Sequence, residues 1–103
     1  MEIFSSLKIK HKNIICQPLL ENLNIKNYLD KIELVIVGGE SDKNARVLDY
    51  NWVTNIQNQC KSRKINFEFR QCGTNFVKDG KMYILKTNEL CAQAKKANIN
   101  LKY

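Results

Sequence analysis

The chain has one proline, one histidine and only four glycines among 103 residues, and each shortage excludes something. With Pro18 the sole proline and no Pro-, Gly- or Ser-rich stretch, no linker divides the sequence. A single domain over 1–103 with a modest core is expected. His11, in KIKHK, has no cysteine nearby, and Cys16, Cys60, Cys72 and Cys91 lie far apart without a CxxC pair. A closed zinc site is therefore not expected, and neither a metal nor a cofactor is assigned. The opening MEIFSSLKIKHK lacks the apolar core of a signal peptide, and no run approaches the ~18 apolar residues of a membrane span. The expectation is a cytoplasmic chain with reduced thiols and no membrane contact. Internal repeats and low-complexity tracts are also missing.

Acidic residues are in deficit. Seventeen Lys and Arg against ten Asp and Glu leave a net charge of +7. The balance favours acidic partners such as nucleic acid or nucleotide phosphates. The competing reading is a lysine-rich solvated surface, since the lysines are spread over the whole chain. A hydrophobic share of 44% is normal for a globular protein, so disorder is not expected.

What is present is a βα pattern. NIICQ (13–17), ended by Pro18, predicts a strand. LNIKNYLD (23–30) has apolar residues at roughly helical spacing and predicts a short helix. Glu33–Val37, apolar on both faces, predicts an inner strand of a parallel sheet covered on both sides. Gly38 and Gly39 then end it, through backbone angles that aliphatic residues do not take. SDKNARVLDYN (41–51) reads as a polar loop whose Asp49 caps a helix with Trp52, Val53, Ile56 and Cys60 on one face. Arg63 and Lys64 close that helix. Residues 65–70, INFEFR, predict a third strand. Asp79-Gly80 in NFVKDGKMYIL predicts a hairpin, and Thr87 a cap for a last helix with Leu90, Cys91, Ala94 and Ala97 inward. Alternation with long connections implies three parallel strands joined by crossover helices, followed by a C-terminal β-hairpin plus helix.

CQPLL (16–20), VIVGGES followed by NAR (44–46), NWV (51–53), NQC (58–60), FEFRQCG (67–73), FVKDGKMY and QAKKANIN fall in one order. Together they resemble the C-terminal part of the phage Gp37/Gp68-like proteins, a domain family of unknown function, over nearly the whole chain. The resemblance implies a TIM-barrel-like fold similar to radical SAM enzymes. It also implies that full-length members begin with a cysteine-rich segment, placed like the one that holds an iron–sulfur cluster in those enzymes. Nothing here matches that segment. The expected fold is thus α/β, a partial (β/α) barrel-like unit resembling the C-terminal portion of a larger barrel. Gln17 stands where the family usually has glutamate, and Cys72 where tryptophan or threonine is expected.

In such barrels functional groups sit just past the carboxyl ends of the strands. Gln17, Glu40 and Gln71 follow three separate strands, so they are candidates to converge on one mouth. Gly38 and Gly39 would let backbone approach a ligand there, and Arg46 would pair with Glu40 or hold a phosphate or carboxylate. The double glycine is not a dinucleotide fingerprint, because G-x-G-x-x-G is missing. Each residue also has a structural reading. Glu40 suits a surface-loop acid, Gln71 a partner for strand-end backbone, Arg46 an ion-pair partner of Glu40 or Asp49, and Trp52 core packing. Cys60 and Cys91 suit small buried hydrophobes, while Cys16 and Cys72 lie near strand ends.

Three functions remain open: a barrel fragment or subunit that is not catalytic alone, a small basic nucleic-acid-binding module, and a non-catalytic scaffold or remnant. The expected partner is a second copy or a complementary N-terminal half, because three strands cannot close a barrel and leave sheet edges unpaired.

Overall fold

The computed structural model describes residues 7–41 and 44–103. Residues 1–6, and 42–43 within the expected polar loop, lie outside the described residues. The chain is mixed α/β, with two α-helices and two open sheets. The first sheet has the order β1 (Leu7–Lys10), β2 (Asn13–Cys16), β3 (Leu34–Gly38), β5 (Asn66–Gln71). β1 is antiparallel to β2, while β2 pairs parallel with β3 and β3 parallel with β5. The second sheet joins β4 (Leu48–Asp49), β6 (Asn75–Lys78) and β7 (Lys81–Ile84). No closed barrel forms among the described residues, because β5 takes no further strand of the first sheet beyond it.

Register explains where the core sits. Ile14, Val35 and Phe67 form one cross-strand row, and Cys16, Val37 and Phe69 the next. All six are buried on one face of the first sheet. The opposite face carries Lys8, Ile15, Ile36 and Glu68 in one row, of which only Ile36 is buried. The two faces are thus unequally covered, and β3, central between β2 and β5, is the strand that keeps a buried apolar residue, Ile36, on the second face.

The helix α1 (Tyr50–Arg63) begins where sequence chemistry says it should: the Asp49 carboxylate accepts from the Asn51 N–H at 2.9 Å. Its inner face is Val53, Ile56, Gln59 and Cys60. It ends with Lys64 in the left-handed region and the Ile65 N–H donating to the Cys60 carbonyl at 2.9 Å. Gln59 is the buried polar residue of this face. Its Oε1 accepts from the Ile25 N–H at 2.7 Å, and its Nε2 donates to the Leu23 carbonyl at 2.9 Å. The amide thereby clamps the β2–β3 connection onto α1, satisfying two backbone groups whose loss would cost about 1–3 kcal/mol each.

That connection departs from expectation. Instead of a helix over 23–30 it holds one 3-10 turn, Lys26–Tyr28, because Leu23, Ile25 and Leu29 bury themselves from irregular backbone held by Gln59. β1 was not anticipated, since LKIK alternates over only four residues. The hairpin at Asp79-Gly80 forms as predicted, with both turn residues at positive φ. Thr87 does not cap the last helix. A 3-10 turn, Thr87–Glu89, precedes α2 (Leu90–Ala97), and the Glu89 carboxylate accepts from the Lys86 N–H at 2.9 Å. Leu90 and Ala94 then face inward, one helical turn apart, while Cys91 is exposed.

Edges are managed unequally. β1 presents exposed Lys8 and Lys10, charges that discourage pairing. β5 is partly covered by the C-terminal tail: Phe67 and Leu101 exchange backbone hydrogen bonds of 3.0 and 2.9 Å, and the Asn100 side chain accepts from the Phe69 N–H. β4 is two residues long. β7 is different, since all four of its residues are exposed, including Met82, Tyr83 and Ile84.

Candidate functional site

Gln17, Gly38, Gly39, Glu40 and Gln71 all follow or close the carboxyl ends of β2, β3 and β5, so the parallel register brings them to one end of the first sheet. A bulge between Val37 and Gly38 shifts Gly38 opposite Gln71. Each residue has defined neighbours. The Gln71 Nε2 donates to the Gly39 carbonyl at 2.8 Å, and the Gly39 N–H donates to the Gln71 carbonyl at 3.2 Å. The Gly38 carbonyl accepts from the Leu19 N–H at 2.8 Å, and the Gln17 side chain lies over Gly38.

The glycines are there for space, and their expected backbone role is corrected. Gly80 is the glycine with positive φ among the described residues; Gly38 and Gly39 do not take the left-handed region. A Cβ on Gly39 would lie 2.4 Å from the Gly73 Cα and 2.5 Å from its N. Backbone cannot yield as a side chain does. The three atoms nearest to a Cβ on Gly38 all belong to the flexible Gln17 side chain, the first at 2.9 Å. What Gly39 admits is therefore another segment of this chain, the turn between β5 and β6.

Glu40 and Arg46 form a closed pair. One carboxylate oxygen, Oε1, accepts from the Arg46 N–H at 2.8 Å and from its Nε at 2.9 Å, while Oε2 accepts from Nη2 at 2.7 Å. The guanidinium hydrogen-bonded to Glu40 holds its carboxyl below the usual carboxylate range. Glu40 is thus an ionised structural anchor and a poor proton donor. Its carbonyl also accepts from the Thr74 N–H at 2.9 Å, and the Asn75 side chain donates to the Ala45 carbonyl at 2.7 Å. Both bonds tie the loop after β3 to the start of the second sheet.

The cysteines do not fit an iron–sulfur cluster. Cys16, Cys60 and Cys72 are buried, and desolvation pushes each thiol up to about 12. A cluster ligand needs the thiolate, which this environment opposes. No group of three or more His, Cys, Asp or Glu able to hold a metal occurs among the described residues. Trp52 packs partly buried against the core, as its structural reading expected.

Sequence reasoning missed an aromatic cluster. Tyr50 of α1 stands edge-on to Phe76 of β6 at 5.9 Å and tilted to Phe69 of β5 at 6.3 Å; the Phe69–Phe76 separation is 6.5 Å. The three rings join both sheets to the helix. Their spacing along the chain carries no signal; packing of the two sheets and α1 against one another brings them together.

The fold and its strand ends define an open-sheet α/β domain with a polar, internally bonded mouth. The chain belongs to the family described as "Protein of unknown function (DUF5131)", which matches residues 1–100. No curated protein and no solved structure matches it. No described helix is long and apolar enough to cross a membrane.

The glycine geometry makes a sharp expectation. Gly39→Ala must push a pair of backbones apart and should lose about 3 kcal/mol or more, whereas Gly38→Ala, which displaces one flexible side chain, should lose about 1 kcal/mol or less. Urea denaturation of both variants measures this, and equal losses would contradict the backbone contact.

Proposed function

We propose that this chain is a ligand-binding unit of a phage-related, Gp37/Gp68-like barrel protein, kin to radical SAM TIM barrels, and that it is not an enzyme by itself. One arrangement supports the reading: Gln17, Gly38, Gly39, Glu40 and Gln71 share the carboxyl end of parallel strands, where barrels put their functional groups. Arg46, held by Glu40, has a side chain 62% exposed. The Gln17 carboxamide lies against Gly38 at the same end. A small carboxylate or phosphate would sit on the guanidinium, with the Gln17 amide as its orienting donor. No covalent step is assigned. The charge of +7 also suits nucleic acid as a partner in the cytoplasm. Titration of 15N-labelled protein with inorganic phosphate and with acetate tests the mouth. Amides of residues 17, 38–40 and 46 should shift together and saturably, and Arg46→Ala should abolish the response. Shifts that never saturate would leave only a scaffold.

The partner that completes this unit is a second copy paired through β7. With β1 charged, β5 partly covered and β4 only two residues long, β7 is the most open edge among the described residues. Its exposed Met82 and Ile84 share one face by strand alternation and would be covered by a two-fold copy. Light scattering at micromolar concentration in physiological salt should give twice 12.0 kDa, and Met82→Lys/Ile84→Lys should return the monomer. A wild-type monomer across that range would leave the complementary N-terminal half as the partner.

A further inference from the structure

A cleft of about 370 Å³ opens between the β6–β7 hairpin and α2, away from the residues of the strand-end mouth. Its apolar walls include Tyr50, Phe76 and Tyr83, and its charged lining residues are Lys78 and Lys96, with no carboxylate among them. Gln93 adds an amide. Phe76 and Tyr83 are directly paired across the hairpin and so share a face. Tyr83 is 44% exposed, leaving ring surface uncovered. Lys78 Nζ stands 4.9 Å from the Tyr50 ring centroid, which keeps this cation beside the aromatic wall. Neither Lys78 nor Lys96 forms an ion pair among the described residues.

We infer that this cleft binds a planar heteroaromatic base that carries a phosphate, through stacking on Tyr83 and phosphate pairing with Lys78 and Lys96. Three features require that chemistry together. A ring with open surface, that of Tyr83, selects a flat, polarisable partner, and stacking tolerates any base. Two unpaired lysines without an opposing acid select an anion. The Gln93 carboxamide offers both a donor and an acceptor to a base edge. The volume lies at the lower end of small-ligand sites, about 300–1,000 Å³, which suits one nucleotide. The occupant is either a free mononucleotide or one residue of a single-stranded nucleic acid, and both offer the same group. This site is independent of the strand-end mouth and stands if that reading fails.

Calorimetric titration of the full chain with AMP, with an eight-residue oligothymidylate and with inorganic phosphate tests the inference. AMP should bind saturably and more tightly than phosphate. Tyr83→Ala and Lys96→Ala should each weaken it about tenfold, while Lys61→Ala, which removes an equal charge from exposed α1 surface, should change it less than twofold. Circular dichroism of the variants checks that the fold persists. Oligothymidylate binding more tightly than AMP, with a steep loss on adding salt, identifies a single strand as the source; the reverse order identifies a free nucleotide. The inference is overturned if neither ligand saturates at millimolar concentration. Binding equal to that of phosphate alone, or equally weakened by Lys61→Ala, also overturns it.

Discussion

Everything at the strand ends depends on two backbones touching. Gly39 passes so close to Gly73 that no side chain fits between them, with 2.4 Å left for a Cβ. Because Gly39 ends β3's run and Gly73 leads from β5 into β6, this contact sets how the second sheet leaves the first. The bonds around it follow. Gln71 closes on Gly39 through both side chain and backbone, and the Glu40 carbonyl takes the Thr74 N–H. The Glu40 carboxylate then folds Arg46 back over the same loop. The aromatic trio of Tyr50, Phe69 and Phe76 fills the space this joint leaves beside α1.

This arrangement changes what the polar mouth can do. A carboxylate with three bonds to arginine, kept ionised, positions a loop; it does not shuttle protons at neutral pH. Gln71 spends its amide on the backbone. Under the proposed function, recognition at the mouth would fall to the Arg46 guanidinium and the Gln17 carboxamide. The aromatic cleft has the opposite character, with exposed ring surface and cations that lack carboxylate partners among the described residues.

Much of the framework was legible because its signals are local. Asp49 caps α1, Asp79-Gly80 turns the hairpin, and LVIVG reads as a central strand from its unbroken apolar run. That Gln17, Glu40 and Gln71 follow strands ending at the same end of the first sheet could be read from strand order. What could not be read depends on distant partners. The 3-10 turn at Lys26–Tyr28 exists because Gln59, 34 residues from Ile25, holds the backbone there. Cys91 faces outward because a 3-10 turn resets the phase before Leu90. GG looked like backbone freedom or ligand access, yet its second glycine makes room for Gly73, which only the assembled sheets reveal.

The central claim is that the strand-end joint belongs to the global core, so its hydrogen bonds should open only when the whole chain unfolds. Native-state amide hydrogen exchange reads this at two N–H groups, Gly39 to the Gln71 carbonyl and Thr74 to the Glu40 carbonyl. Both should exchange with the free energy of global unfolding measured in denaturant, alongside the core strand amides of Val35 and Val37. Exchange of Thr74 or Gly39 more than about a hundredfold faster than that limit, insensitive to denaturant, would show a locally opening joint and contradict the account.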